Sequence, residues 1–481
     1  MRPRALLLCL ALLAAACSGS SSKTTASTAS PSASSSSATE APSTSTATGF
    51  TPQPIEWSGC GGGLECGELE VPLDYSDLQG KTIVLGLVRS PAGDEANKIG
   101  SLLVDNGGPG GSPIEHVRSG GPEVSSVVRD RFDIIGFDPR GVGESTSLGC
   151  AKDTQASFHH LDPSPDDAEE QAALDEGAKA IADDCQANAG ELLPHVGTDD
   201  VVRDMDTIRA AVGDEKLSYI GYSYGTLLGL RYAELFPDRV RAIVLDGVVD
   251  PTQGFETFLR EQTKAFEKQV GALLGDAASD YDSLAARVET DPLVGGRETV
   301  GPNELATAAI VATYSPGGGP LLKRALEAGV AGDGRRLAAL DDAYESSVEF
   351  AAYAAVECID SPHPVGAEAF KRFANELTAI SPRFGPSIAN ELLTCAFWPA
   401  PVKNIIGPVR AAGAPPLLVI GTTGDAATPY HQAVAVADTL AQSALLTVNG
   451  TGHTSSGNPC AVDATSTYLL DLTLPGKGAV C

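Results

Sequence analysis

The stretch Leu217-Ser218-Tyr219-Ile220-Gly221-Tyr222-Ser223-Tyr224-Gly225-Thr226 runs from an apolar, β-rich segment through G-x-S-x-G into a helical pattern that stops before Pro237. Strand, tight turn and helix in that order predict that Ser223 sits at a sharp corner, its hydroxyl projecting from the head of the helix. The turn itself requires the glycines, because a side chain at Gly221 or Gly225 would collide with neighbouring backbone. The helix N-terminus beneath the serine favours the negative charge that develops when its oxygen adds to a carbonyl.

Outward from this corner, further β-rich runs bounded by Gly, Pro and Asp lie at 82–89, 101–105, 132–138, 243–246, 417–421 and 444–448. Most are continuously apolar, the pattern of strands covered on both faces, and helical stretches such as 199–212 separate several of them. The alternation predicts an α/β fold on a mostly parallel, doubly wound sheet. From 250 to about 396 the strand signal stops, and Phe255, Phe258, Leu259, Phe266, Val270 and Leu273 recur at helical spacing. A helical cap inserted between strands 6 and 7 is therefore expected. The divisions are 51–250 for the first part of the core, 251–396 for the cap and 397–481 for the C-terminal part of the core.

A hydroxyl is a poor nucleophile unless a base takes its proton. Only His431 and His453 lie beyond both the serine and the cap. His453 stands in the glycine-rich loop Asn449-Gly450-Thr451-Gly452-His453-Thr454, directly after the last expected strand, where its side chain can swing over the serine. His431 follows Pro429-Tyr430 at a helix start, where a surface or capping role suffices. The acid that orients the imidazole should leave the end of a late strand, and Asp425 and Asp246 both do. Asp425 is preferred because its loop has no other evident task. Two backbone donors are needed for an oxyanion: Tyr224, after the nucleophile, and Gly108 or Gly110 from the loop Asp105-Asn106-Gly107-Gly108-Pro109-Gly110-Gly111-Ser112. A phosphate cradle is the rival use of glycine-rich sequence, but Gly80-Lys81-Thr82 has Tyr75 where a P-loop has its first glycine.

Arg2 and Arg4 precede the apolar run 5–16, which is too short to span a bilayer and ends in small residues before Cys17. Residues 1–16 are expected to be a lipoprotein signal peptide. Ala14-Ala15-Ala16-Cys17 resembles a lipobox, although Ala14 stands where Leu is more usual, and ordinary cleavage near Ala16 is the alternative to lipidation of Cys17. Residues 17–50 are dominated by Ser, Thr, Ala and Pro and are expected to form a disordered tether. Within it, Ser20-Ser21-Ser22-Lys23 matches S-x-x-K, but a tether cannot hold a nucleophile in place.

The 481 residues carry 33 basic and 62 acidic side chains, a formal charge of -29, which repels phosphate backbones and excludes a nucleic-acid partner. The membrane is expected as a partner only through the lipid anchor. Beyond Cys9 and Cys17, an even set remains: Cys60, Cys66, Cys150, Cys185, Cys358, Cys395, Cys460 and Cys481. An exported chain with that set points to disulfides. Connectivity stays open; nearest-neighbour pairing would join Cys60 with Cys66, Cys150 with Cys185, Cys358 with Cys395, and Cys460 with Cys481. No C-x-x-C occurs and, apart from His159-His160 in a polar stretch, the histidines are scattered, so neither a metal nor an organic cofactor is expected.

From about Trp57 to Cys481 the chain resembles the proline iminopeptidase relatives among the α/β-hydrolases. Within them it is similar to the secreted tripeptidyl aminopeptidases of actinobacteria and their mycobacterial lipoprotein relatives. The resemblance is carried by Gly107-Gly108-Pro109-Gly110, Phe137-Asp138-Pro139-Arg140-Gly141-Val142-Gly143-Glu144-Ser145, the Ser223 corner, Cys358-Ile359-Asp360, Cys395-Ala396-Phe397-Trp398-Pro399, Asp425 to Pro429, and Gly452-His453. One departure stands out: Asn106 occupies the place where proline iminopeptidases usually carry His, so strict prolyl specificity is not implied. The resemblance implies an exported serine aminopeptidase that removes short peptides from free N-termini. A buried terminal ammonium needs a carboxylate partner, and Glu357 and Asp360 are the candidates beside Cys358. An esterase acting on acyl esters with the same triad is the alternative, and a surface-binding lipoprotein without turnover is a further one.

Overall fold

The computed structural model describes residues 49–296, 299–403 and 406–481. The expected leader, the lipidation candidate Cys17 and nearly all of the expected tether lie outside the described residues. No helix among the described residues is long and apolar enough to cross a membrane.

Among the described residues ten strands form the main sheet: β1 (Ser58–Gly61), β2 (Leu64–Pro72), β3 (Thr82–Ser90), β4 (Gly100–Asp105), β5 (Phe132–Phe137), β6 (Leu217–Tyr222), β7 (Val240–Asp246), β10 (Leu417–Gly424), β11 (Ser443–Thr451) and β12 (Ala479–Val480). A separate two-stranded ribbon pairs β8 (Leu293–Val294) with β9 (Thr299–Val300). The main sheet runs in the order β1-β2-β3-β5-β4-β6-β7-β10-β11-β12. From β5 to β12 every neighbouring pair is parallel, and β1, β2 and β3 add an antiparallel end.

The apolar runs explain why the centre is buried on both sides. Successive side chains of one strand point to opposite faces, so Leu103, Ile135, Ile243 and Val419 enter one core while Leu102, Ile134, Val244 and Leu418 enter the other. The helices Thr198–Ala211, Tyr224–Leu235 and Tyr430–Thr439 cover the first face. Pro113–Arg118, Ser126–Arg131 and Pro459–Asp471 cover the second.

Three buried charged side chains tie segments of the core together. Arg140 grips Asp204 with two hydrogen bonds, Nε to Oδ2 at 2.7 Å and Nη2 to Oδ1 at 2.6 Å, and neither side chain is exposed. Losing one partner of such a pair costs about 3–5 kcal/mol, because the other is left charged and buried. Asp138 accepts from Ser112 Oγ at 2.7 Å, Ile114 N at 3.2 Å and Glu144 N at 2.8 Å, which ties the glycine-rich loop after β4 to the turn after β5. A Cβ at Gly143 would lie 1.9 Å from Asp138 Oδ2, so only glycine fits there.

Between β7 and β10 the chain forms eight α-helices among the described residues, from Phe255–Leu274 to Gly385–Glu391. The insertion follows Val240–Asp246, the strand after which it is expected, but that strand is the seventh in chain order rather than the sixth, because β1, which reads Ser-Gly-Cys-Gly and is exposed throughout, and β2 are not among the runs read from sequence. The β8–β9 ribbon is a second departure from the all-helical expectation; at two residues per strand it is too short to show a period. The structure pairs Cys60 with Cys66, Cys150 with Cys185, Cys358 with Cys395, and Cys460 with Cys481.

Candidate active site

Ser223 sits between β6 and the helix Tyr224–Leu235 with φ 52° and ψ −123°, a backbone conformation that side chains rarely adopt. The corner closes only because its flanks are glycine. A Cβ at Gly221 would stand 2.2 Å from Gly225 O, and one at Gly225 would stand 2.7 Å from Asp105 Oδ1. Ser223 N donates to Asp246 O at 3.0 Å, and Thr226 Oγ1 donates to Ser223 O at 2.6 Å. The strain is thus held from both sides.

Asp425 and His453 meet across the ends of β10 and β11. His453 Nδ1 donates to Asp425 Oδ2 at 2.9 Å, with Oδ1 at 3.1 Å. Asp425 also accepts from Thr428 N at 2.9 Å, Thr428 Oγ1 at 3.0 Å and Thr454 N at 3.0 Å. A carboxylate only accepts, so the proton lies on Nδ1 and leaves a lone pair on Nε2. Burial disfavours the imidazolium, but the charge and hydrogen bond of Asp425, with the charge of Asp246, outweigh it and hold His453 above the ordinary imidazole value.

Asp246, the alternative acid, has a different task. It accepts from Ser455 Oγ at 2.6 Å and from Ser455 N at 3.0 Å, which fixes the loop just past His453. Burial pushes its carboxyl up to about 7, against the pull of those hydrogen bonds. Its backbone also bears on the corner, through the bond from Ser223 N, and a Cβ on the next residue, Gly247, would lie 3.3 Å from His453 Cε1. Asp246 therefore bonds both to the backbone of the corner and to the loop that carries the imidazole, and glycine at 247 leaves room for the Cε1 edge of that ring. Among the described residues no hydrogen bond joins Ser223 Oγ to the imidazole, whose side-chain bonds go to Asp425 and, at 3.5 Å, Thr428 Oγ1. Catalytic hydrogen bonds of this kind commonly tighten only with substrate in place.

The glycines of the loop after β4 face different neighbours. Gly107 faces the corner: a Cβ there would lie 2.5 Å from Tyr222 O and 3.1 Å from Tyr224 N. Its own N–H is spent on Asp105 Oδ1 at 2.8 Å. Gly108 lines the same cavity as Ser223 and Tyr224. Gly110 turns toward the insertion, where its carbonyl accepts from Glu349 N at 2.9 Å and a Cβ would meet Tyr353 N at 2.9 Å. Gly110 is thus a seat for the insertion, since φ of +86° and the close backbone of Glu349 both demand glycine.

Ser223, Gly108 and Tyr224 open on a cavity of about 570 Å³ between the sheet and the helical insertion. Phe255, Phe258, Leu259 and Ile310 contribute apolar wall, and Asp250, Glu345, Glu357, Asp360 and Glu391 contribute carboxyl groups; no Lys or Arg lines it among the described residues. Glu357 has no hydrogen-bond partner there, and burial, with the charges of Asp360 and Glu391, pushes its carboxyl up to about 8. Asp360, the other expected ammonium partner, is engaged: it accepts from Thr198 Oγ1 at 2.6 Å and Thr198 N at 3.0 Å, capping the helix Thr198–Ala211. The Thr198 hydroxyl in turn meets Tyr224 OH at 2.8 Å. Glu391, not anticipated from sequence, accepts from Tyr344 OH at 2.8 Å and Tyr353 OH at 3.4 Å, and burial raises its carboxyl. His431 does not line the cavity.

Residues 100–285 match the family described as alpha/beta hydrolase fold, and residues 381–481 match the family described as TAP-like protein. The serine protease Hip1 of Mycobacterium tuberculosis is 35% identical over 89% of this chain and 91% of that protein. The tripeptidyl aminopeptidase of Streptomyces lividans is 32% identical over 89% of this chain and 86% of that protein. Carboxylesterase B of Mycobacterium tuberculosis is 33% identical, with 86% of each chain covered. The chain belongs to the α/β-hydrolases. With a serine protease and a tripeptidyl aminopeptidase as relatives of this α/β-hydrolase, the chain is a serine hydrolase, and its nucleophile, acid and histidine candidates follow one another in the chain order usual for this fold. In the glycine-rich loop of this α/β-hydrolase, Asn106 Oδ1 is buried without a hydrogen-bond partner among the described residues, while its Nδ2 would lie 2.7 Å from a Cβ on Gly111.

Proposed function

We propose that this chain is an exported serine aminopeptidase that releases short peptides, of the tripeptide class, from free N-termini. The observation that carries the reading is the cavity shared by Ser223 and a set of carboxyl groups, with no Lys or Arg among its described lining residues and with the protonated His159 of its wall taken up by Asp341 and Glu345. Such a pocket suits a substrate that brings its own positive charge, and an unpartnered Glu357 gives that charge a seat. His453 Nε2 takes the hydroxyl proton of Ser223 as Oγ bonds to the scissile carbonyl carbon. The N–H groups of Tyr224 and Gly108 receive the oxyanion. His453 then passes the proton to the departing amine as the C–N bond breaks, and water, activated by the same imidazole, hydrolyses the acyl-enzyme. Asp425 holds the imidazole in the required tautomer and stabilises its charged form. The amino-terminal sequence supports export, with Cys17 as the point of lipid attachment and the membrane reached only through that lipid.

A fluorophosphonate probe tests the nucleophile: labelling is expected in the wild type and absent in Ser223→Ala, and retained hydrolysis in that variant would sink the site. Free-amine tripeptide substrates, the same peptides with blocked N-termini, and acyl esters test the substrate. Preference for the free amine is expected; equal rates on free and blocked peptides would remove the aminopeptidase reading. The apolar wall at Phe255, Phe258 and Leu259, with a relative named carboxylesterase B, supports an acyl-ester hydrolase as the second reading, and esters hydrolysed in preference to all peptides would favour it.

A further inference from the structure

Tyr314 lies in the helical insertion, three residues past the end of the helix Pro302–Val311, yet it touches the His453 loop twice. Its carbonyl accepts from His453 N at 3.1 Å, and its ring meets the imidazole edge-on, centroids 5.1 Å apart at 71°. The approach depends on Gly452, where φ is +117° and a Cβ would lie 3.1 Å from Pro316 Cδ and 3.4 Å from Tyr314 O. On its other sides Tyr314 is held within the insertion. It stacks on Phe266 at 6.5 Å and meets Tyr344 edge-on at 6.3 Å. Its hydroxyl has no hydrogen-bond partner among the described residues, so the contact with the base is made by ring and backbone.

Asp425 alone does not fix the imidazole. A single carboxylate secures Nδ1 but leaves the ring able to tilt about that bond, and a general base must present Nε2 within hydrogen-bond reach of the hydroxyl. The Tyr314 ring closes off one direction of tilt, and Gly247 lies against the Cε1 edge. We propose that Tyr314 is a positioning residue for the base, through which correct seating of the helical insertion is coupled to activation of Ser223. The proposal rests on His453 acting as the base of Ser223.

The test compares Tyr314→Leu and Tyr314→Phe in the full chain, reading the rate of fluorophosphonate labelling together with kcat and KM. Tyr314→Leu is expected to lower both labelling and kcat by about 10- to 100-fold, the loss typical of a misplaced catalytic group, while KM changes less than about threefold. Tyr314→Phe keeps the ring and the backbone acceptor and is expected to restore both rates to within about threefold of wild type. Wild-type labelling in Tyr314→Leu, a loss confined to KM, or a Phe variant as impaired as the Leu variant would each overturn the proposal. If Tyr314→Leu does not fold, Gly452→Ala separates the loop from Pro316 and Tyr314 O without altering the ring. A fall in kcat there supports the coupling and a wild-type kcat overturns it. Ser223→Ala separates this from failure of the underlying reading: labelling that survives that substitution removes the nucleophile itself, whatever Tyr314 does.

Discussion

At the scale of single residues, the proposed role of His453 as base predicts the pH dependence. A general base must be neutral, so activity is present above the folded pKa and lost as pH falls through it. Asp425 holds that pKa above the ordinary imidazole value. The acid limb of kcat/KM is therefore expected at a midpoint above about 6.5, and Asp425→Asn should lower kcat by about 10⁴-fold because it favours the wrong tautomer. A midpoint at or below that of free imidazole would contradict the arrangement. The carboxyl groups carry the second prediction at this scale. Glu357→Gln and Glu391→Gln are each expected to raise KM for free-amine peptides by about 10- to 100-fold, the worth of one charge-assisted hydrogen bond, while ester hydrolysis stays near wild type. An equal loss on esters would assign these groups to packing instead. The candidates Ser223, Asp425 and His453 were legible in the sequence because Asp425 and His453 each follow a glycine, and Ser223 stands between two at a distance of two residues, at the ends of apolar runs. Glu391 was not, because Ala389-Asn390-Glu391-Leu392 carries no local signal and only the fold brings it to Glu357. Asp360 sits in a similar acidic setting, and only the structure shows its oxygens committed to Thr198.

At the scale of elements, the question is what joins the helices that surround the cavity. His159 ends the helix Lys152–His159 and places Nε2 3.1 Å from Asp341 Oδ1 on the helix Arg335–Glu345, with Nδ1 3.3 Å from Glu345 Oε1. Burial would lower its pKa, but the hydrogen bond to Asp341 and the charges of Glu345, Asp341 and Glu304 lift it to about 9. The pKa is raised on folding, so this contribution to stability is complete below the unfolded value of about 6.5 and is lost as pH rises through the folded value. The thermal midpoint is expected to fall between pH 7 and pH 9.5, and by less in His159→Gln; parallel curves for the two proteins would rule the contact out as a stabiliser. Elements differed in how readily they could be read. The central strands declare themselves because both faces are buried and the run is apolar throughout. Strand β2 alternates Glu68 and Glu70 outward with Leu69 and Val71 inward, a weaker signal next to the turn residues that flank it. Strand β12 has two residues and gains its place from pairing with β11 beside the Cys460–Cys481 disulfide, which no local pattern encodes.

At the scale of the whole molecule, the helical insertion is long enough to suggest an independently folding piece, and the packing argues otherwise. One apolar cluster runs from Leu69 and Leu103 on the sheet, through Leu228 beneath the corner, to Phe255, Leu326 and Leu377 in the insertion. The opposite face of the sheet has its own cluster, built from Leu102, Val244 and Leu418 with Ile114 and Tyr468. The sheet lies between the two, so the insertion shares a core with the element that carries Ser223, and the second core rests on the back of the same strands. Units that share a core lose their packing together, whereas units joined only through a polar seam melt apart. The backbone bond from His453 N to Tyr314 O and the one from Glu349 N to Gly110 O add links between the insertion and the site that a partly detached insertion would break. Scanning calorimetry of the oxidised protein is therefore expected to show one main transition, with loss of fluorophosphonate labelling at the same temperature. Two resolved transitions, with labelling surviving the first, would mean that the insertion unfolds while the corner, the imidazole and the oxyanion donors stay assembled, and that the shared cluster does not couple them.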